Sequence, residues 1–223
     1  MRWNDHSNLD GRHSFLSPSH PSWLEWDEDT IEQRYYGQYS QLIGTTIHEV
    51  AENLIKNRRK LHKYDHLVVE YNLDLVNVPR FAYDTSLILP NLMAFVNDAN
   101  GFNMDPEKKL YYSENCFGTA DAISYDMSKN FLRIFDYKSG LTPAKMEQPL
   151  IYAALFVLEY LPSPKVFANL QTELRIYQNV VEGDEVTPNI TTCNPTPDEI
   201  ASFMNKIRKG DDIINHILER ERL

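Results

Sequence analysis

Gly118-Thr119-Ala120-Asp121-Ala122-Ile123-Ser124-Tyr125 and, after the turn Asp126-Met127-Ser128-Lys129-Asn130, Phe131-Leu132-Arg133-Ile134-Phe135-Asp136-Tyr137-Lys138-Ser139-Gly140 decide how this chain folds. Both read as apolar strands that bring a carboxylate to a strand end, and the polar turn between them makes a hairpin. Strand periodicity sends Asp136 and Lys138 to one face and Phe135 and Tyr137 to the other. Carboxylates on adjacent antiparallel strands can share a hard cation, which takes oxygen ligands from one or two carboxylates plus water and phosphate. Lys138 beside such a cation can favour a deprotonated water and steady charge developing on a phosphorus centre. The plainer alternatives are two surface acids, or an Asp136–Lys138 ion pair; an exposed pair of that kind contributes only roughly 0–1 kcal/mol.

Outward from the hairpin, Lys109 to Glu114 supplies a further strand, and a meander is the simplest pairing. Upstream, Ile43, Ile47, Val50, Ala51 and Leu54 recur at helical spacing over Ser40 to Arg59. A second helix is expected from Asp84 to about Asn97, with Pro90 setting its start near Leu89 or kinking it. Downstream, Thr142-Pro143 is expected to open a helix through Tyr160, ended by Pro162 and Pro164. Lys165 to Asn179 reads as a returning strand, and Thr196-Pro197-Asp198-Glu199 opens a C-terminal helix reaching nearly to Leu223. The first 27 residues, broken by Ser17-Pro18-Ser19-His20-Pro21, form an irregular arm anchored by Trp23 and Trp26. The order is that of an α/β protein with a mixed central sheet flanked by helices. One domain over 1–223 is expected: an arm and lead-in helix (1–39), a core (40–179), and a loop with a C-terminal helix (180–223).

Composition narrows the function. The 223 residues carry a net charge of -10, which argues against a protein that coats DNA with many phosphate-neutralising cations. The charge is uneven: Ser40 to Tyr64 holds five basic residues (Lys56, Arg58, Arg59, Lys60, Lys63) against Glu49 and Glu52. Arg58, Arg59 and Lys60 suit either a helix end favoured by the helix dipole or a phosphate contact. Cys116 and Cys193 are too few for a four-thiolate metal site. No apolar run approaches the roughly 20 residues of a membrane span, and the start lacks a secretory pattern, so a cytoplasmic protein without membrane partners is expected.

Further residues are candidates for chemistry. His48 lies beside the apolar stripe of the first helix, where an imidazole can ligate a divalent metal, position a phosphate or simply be structural. Gly44, one turn earlier, permits a close approach to that face, and Glu52, one turn later, could orient the ring. Gln148 and Tyr152, four apart, share a helix face after the strands; taken alone they also suit ordinary boundary polarity. Glu114 is either an outer ligand or a solvated strand end, and Glu147 adds a nearby acid.

Together, Gly44-Thr45-Thr46-Ile47-His48, Gly118-Thr119-Ala120-Asp121, Asp136-Tyr137-Lys138-Ser139-Gly140 and Gln148-Pro149-Leu150-Ile151-Tyr152 resemble, in order, the motifs of the PD-(D/E)XK nuclease superfamily. The resemblance is to its RecB-like, lambda-type exonuclease branch and covers roughly Ser40 to Asn179. Ser17 to Trp26 also looks like phage members. It implies an αβββαβ restriction-endonuclease-like core and a divalent-metal-dependent DNA nuclease, more exonuclease than endonuclease, leaving 5′ phosphates in phage or bacterial DNA recombination, repair or degradation. By the resemblance, His48, Asp121, Asp136 and the Tyr137 carbonyl bind Mg²⁺ or Mn²⁺, Lys138 activates water, and Gln148 with Tyr152 holds the lysine or the DNA backbone. Arg58, Arg59, Lys60 and Lys145 are the DNA-contact candidates.

Two departures stand out. Ala120 replaces the proline that names the motif, and the cysteines that hold an iron–sulfur cluster in some relatives are absent, so none is expected. The partners implied are DNA, a recombination or replication protein, and further copies of the chain in an oligomer or ring; a phage-encoded member would work in the bacterial host cytoplasm. The rival readings are a catalytically quiet nuclease-like module that binds DNA ends or a protein, and a small acidic metalloprotein with no nucleic-acid substrate.

Overall fold

A computed structural model describes residues 14–182 and 185–220. Contacts divide the chain into two compact units, 1–42 and 43–223.

In the first unit a short 3₁₀ turn, Pro21–Glu25, precedes helix α1 (Glu28–Gly37). The Asp27 side chain caps α1 by accepting from the Thr30 amide at 2.9 Å. Both tryptophans make contacts within this unit. The Trp23 indole donates to the Ser17 carbonyl, while Trp26 packs on Phe15 and lies under the Arg34 guanidinium. Residues 1–13 of the expected arm and 221–223 of the expected last helix lie outside the described residues.

Helix α2 (Ser40–Lys56) carries the chain into the second unit. There follow α3 (His66–Leu75), α4 (Thr85–Gly101), strands β1 (Asp105–Ser113), β2 (Cys116–Asp126) and β3 (Phe131–Lys138), helices α5 (Glu147–Tyr160) and α6 (Pro164–Phe167), strands β4 (Gln171–Glu182) and β5 (Glu185–Cys193), and helix α7 (Pro197–Arg220). The strands form one mixed sheet in the order β1-β2-β3-β4-β5, antiparallel except for the parallel β3–β4 pair. Helices on the faces of this sheet make the protein α/β, as its sequence implies.

The strand alternation sorts the core into two layers. Leu132 and Ile134 of β3 pack with Leu174 of β4 against Ala153, Ala154 and Val157 of α5 and Ile200 and Met204 of α7. On the other face, Tyr137 and Tyr177 meet Phe95 of α4 and Phe135 meets Tyr177, through ring contacts with centroids 5.4–5.6 Å apart. Burying each large side chain of this kind stabilises the fold by roughly 1.5–3 kcal/mol.

Several boundaries differ from the sequence reading, each for a local reason. Helix α4 begins where the sequence placed it, at Asp84 rather than at the alternative near Leu89, because the Asp84 carboxylate caps it by accepting from the Ser86 amide at 2.8 Å; it runs on past Asn97 to Gly101. Helix α5 starts at Glu147, not Thr142, because Gln178 of β4 ties down the preceding segment. Its Nε2 donates to the Gly140 and Thr142 carbonyls, both at 2.7 Å, and its Oε1 accepts from the Ala144 amide at 2.8 Å. The strand expected from Lys165 begins at Gln171, since Ser163 caps a short α6 with Pro164 in its first turn. Residues 185–193, expected as loop, form the edge strand β5, where Pro188 is tolerated. Helix α3 is an element the periodicity did not announce; Val69 and Leu73 face inward, but Leu67, Tyr71 and Leu75 are apolar and exposed.

Candidate functional site

The β2–β3 ladder runs in register from Asp126–Phe131 to Ala122–Phe135 and ends there, while β3 continues to Lys138 along β4. Beyond the last pair a side chain takes over the ladder's role: the Tyr137 amide donates to Asp121 Oδ2 at 2.7 Å. On the other edge of β2, Lys108 pairs with Ala120 and Pro106 with Ala122, leaving Glu107 and Asp121 as the unpaired positions between them. Glu107 has φ 49°, a left-handed conformation that costs a residue with a Cβ roughly 1–2 kcal/mol. The backbone is thus irregular at the two acids that share the site.

Helix α2 brings His48 to this point. Its Nδ1 is 3.5 Å from Asp121 Oδ1 and 3.9 Å from Glu107 Oε1. The ring packs edge-on against Tyr137, with centroids 5.6 Å apart. Gly44 permits the close approach of α2, since a Cβ there would lie 3.0 Å from Ser139 Oγ. Gly44, Thr45, His48, Glu49, Glu52, Glu107 and Asp121 line a cavity of about 420 Å³. Among the described residues, His48, Glu107 and Asp121 present ligand atoms all within 4.8 Å of one another.

Across β3 lies a second, connected set. Lys138 Nζ is 3.0 Å from Asp136 Oδ1, 2.9 Å from Asp136 Oδ2 and 2.8 Å from Gln148 Oε1. Gln148 Nε2 in turn donates to the Tyr152 hydroxyl at 3.0 Å. Asp136 is only 1% exposed, and its Oδ2, although close to the ammonium, receives no donor in hydrogen-bond geometry. Gly118 makes room for Tyr152, because a Cβ there would stand 2.9 Å from its Cε1.

The electrostatics follow from crowding acids out of water. Burial, then Asp136, pushes the Asp121 carboxyl up to about 7, against the opposing pull of the Tyr137 amide and Lys138. Burial also raises Asp136, with Lys138 opposing. Glu107 is raised by burial and then by Asp121. Burial lowers His48, against the opposing effect of Glu107, and so favours its neutral, ligating form. One imidazole nitrogen and two carboxylates, with an incompletely bonded Asp136 behind them, form a donor set that fits a divalent cation. The arrangement also holds the Lys138 ammonium at a fixed point between Asp136 and Gln148.

Of the residues singled out in the sequence, His48, Asp121, Asp136, Tyr137, Lys138, Gln148 and Tyr152 all come together here. Glu107, missed by the sequence reading, joins them; apart from Pro106, nothing apolar between Asp105 and Lys109 announces the start of β1, so alternation had nothing to detect. Glu52 does not orient His48; it pairs with Lys56 and lines the cavity. Glu114 lies in the exposed β1–β2 turn beside the Tyr111 hydroxyl, and Glu147 is exposed in the first turn of α5. Arg58 donates to the Met104 carbonyl at 3.0 Å and the Arg59 carbonyl accepts from Asn100, so both help close the end of α2. Lys60 and Lys145 are exposed. No described helix is long and apolar enough to cross a membrane.

No family model, no characterised protein and no solved structure matches this chain.

Proposed function

We propose that this protein is a divalent-metal-dependent DNA nuclease of the PD-(D/E)XK superfamily, of the RecB-like exonuclease branch, hydrolysing phosphodiester bonds to leave 5′ phosphates. The observation that carries this reading is the Lys138 ammonium, held between Asp136 and Gln148 beside the His48, Glu107 and Asp121 group. An ion pair needed only for stability does not require a second tether from Gln148, a hydroxyl behind that tether, and three further ligating side chains.

In this reading His48, Glu107 and Asp121 hold Mg²⁺ or Mn²⁺, with Asp136 and the Tyr137 carbonyl close by. The cation supplies Lewis acidity toward the scissile phosphate and lowers the pKa of water. Glu107 takes a place that the motif resemblance does not assign. Lys138 positions the attacking water and counters charge accumulating on the phosphate oxygens. Asp136 and Gln148 restrict the lysine to one rotamer, and Tyr152, wedged over Gly118, restricts Gln148. Water attacks phosphorus in line with the departing 3′ oxygen, and the phosphate stays on the 5′ side. The order α2-β1-β2-β3-α5-β4 is in keeping with an αβββαβ core, with α3 and α4 inserted before the strands.

End-labelled linear DNA incubated with Mg²⁺, Mn²⁺ or EDTA tests this reading. Cleavage with either metal and none in EDTA is the expected result, with Asp136→Ala inactive. Absence of cleavage with both metals would sink it.

A further inference from the structure

The outer face of α3 is unusual. Leu67, Tyr71 and Leu75 stand at i, i+4 and i+8, 66%, 64% and 61% exposed, and Tyr64 in the preceding turn is 73% exposed. The inner face already buries Val69 and Leu73 against α4, so α3 is apolar on both sides. A helix of that kind is ordinarily covered.

The chemistry beside this face identifies the cover. Lys56 to His66 holds five basic residues (Lys56, Arg58, Arg59, Lys60, Lys63) and one acid, Asp65, in a chain whose net charge is -10. Lys56 is paired with Glu52, and Asp65 is turned onto its own loop, accepting from the His62 amide at 2.8 Å. Among the described residues, Arg59, Lys60 and Lys63 have no carboxylate partner; Lys63 instead lies over the Tyr64 ring at 4.8 Å. Of the acids on α3, Glu70 is neutralised by Arg80 and Asp74 receives the Tyr83 hydroxyl at 3.5 Å. A basic linker thus leads directly into a helix face of exposed rings and leucines, and Lys63 over Tyr64 marks the junction.

That surface is continuous with the cavity. His48 and Lys56 are two turns apart on α2, and Lys56 is close enough to act on the Glu107 charge. Arg58 is fastened to Met104, three residues before Glu107. Leu61 and Asn97 exchange two hydrogen bonds, at 2.9 and 2.8 Å, that fix the linker along α4. The basic linker therefore runs from the strand that carries Glu107 to the ring-bearing face of α3.

We infer that the 56–63 linker and the Tyr64, Leu67, Tyr71 face of α3 form a binding track for single-stranded DNA that feeds the metal cavity. The inference rests on the nuclease reading for its destination and on this surface for its substrate class. Duplex DNA offers phosphates but no free base faces, whereas unpaired bases stack on exposed tyrosines whatever their sequence. Leu67 to Leu75 spans about 12 Å along the helix, room for about three bases at about 3.4 Å each.

The test is fluorescence anisotropy of labelled dT20 in EDTA, where binding is read without cleavage, with an unlabelled duplex as competitor. Wild type is expected to bind dT20 in preference to the duplex. Tyr64→Ala with Tyr71→Ala is expected to weaken binding by roughly fivefold or more per ring lost, while the double Phe variant keeps it. Lys60→Gln with Lys63→Gln should reduce the log–log salt slope by about 1.4. Unchanged thermal melts of these exposed-site variants exclude misfolding. Equal dT20 affinity of wild type and the Ala variant overturns the track. So does a change confined to sedimentation behaviour, which would make the face a protein contact. Cleavage in Mn²⁺ by the Ala variant with unaltered dT20 binding removes the track and leaves the nuclease reading standing. Ring-dependent binding by a chain that never cleaves DNA does the reverse.

Discussion

Replacing Asp121 by Asn should make the metal-free protein more stable at pH 8, although it removes a residue central to the site. Asp121 is pushed from 3.8 to about 7, first by burial and then by Asp136. At about 1.4 kcal/mol per pH unit, that rise is a destabilisation of about 4 kcal/mol above pH 7. A carboxyl whose folded pKa is raised binds more protons folded than unfolded between 3.8 and about 7. Its favourable contribution is therefore complete below 3.8 and is lost as pH climbs through about 7. The substituted amide is neutral throughout and keeps an oxygen to accept the Tyr137 N–H. The expected gain at pH 8 in EDTA is about 2–4 kcal/mol, or roughly 4–16 °C in Tm for a chain of this size, shrinking toward zero at pH 4. Urea unfolding followed by far-UV circular dichroism is the assay, because Trp3, Trp23 and Trp26 all precede the second unit. Mn²⁺ at a hundredfold excess over its Kd should stabilise wild type by about 2.7 kcal/mol and leave the Asn variant nearly unmoved. A less stable Asn variant at pH 8, or a difference that does not change with pH, would refute the reasoning.

Glu107→Gly should relieve the left-handed strain and stabilise the metal-free chain by about 1 kcal/mol while weakening Mn²⁺ binding in calorimetry; unchanged affinity would remove Glu107 from the centre. Lys138→Met should abolish DNA cleavage but keep Mn²⁺ binding, which separates positioning of water from holding the metal. Gly118→Ala drives a Cβ into Tyr152 and should cost about 1–3 kcal/mol, with cleavage falling further than the loss of folded protein explains. Gln178→Ala frees the 140–144 segment from three hydrogen bonds. It should lower stability by about 1–3 kcal/mol and raise hydrogen exchange at Ala144.

Much of this architecture is legible in the sequence because strand and helix periods are enforced by burial. The split of β3 into Leu132, Ile134 and Asp136 on one face and Phe135 and Tyr137 on the other follows directly from alternation, and so does the Lys138–Asp136 contact. His48, Gln148 and Tyr152 could be placed because they ride on apolar stripes. What escaped the reading depends on groups that periodicity does not register. Glu107 sits in a strand start with no apolar markers, and its left-handed φ is set by the irregular pairing around Asp121. The late start of α5 is decided by Gln178, which is 31 residues beyond Glu147 in the chain and meets the 140–144 segment only once β4 has paired with β3. Helix α3 hides because apolar residues on both of its faces blur the amphipathic signal, and β5 because Pro188 interrupts a run of β-branched residues.

Anomalous diffraction from crystals soaked with Mn²⁺ and a short oligonucleotide tests the proposed metal centre most directly. The account predicts a manganese peak at bonding distance from His48, Glu107 and Asp121, with a phosphate oxygen next to the Lys138 ammonium. A peak at other residues, or no peak while the oligonucleotide is bound elsewhere, would contradict it.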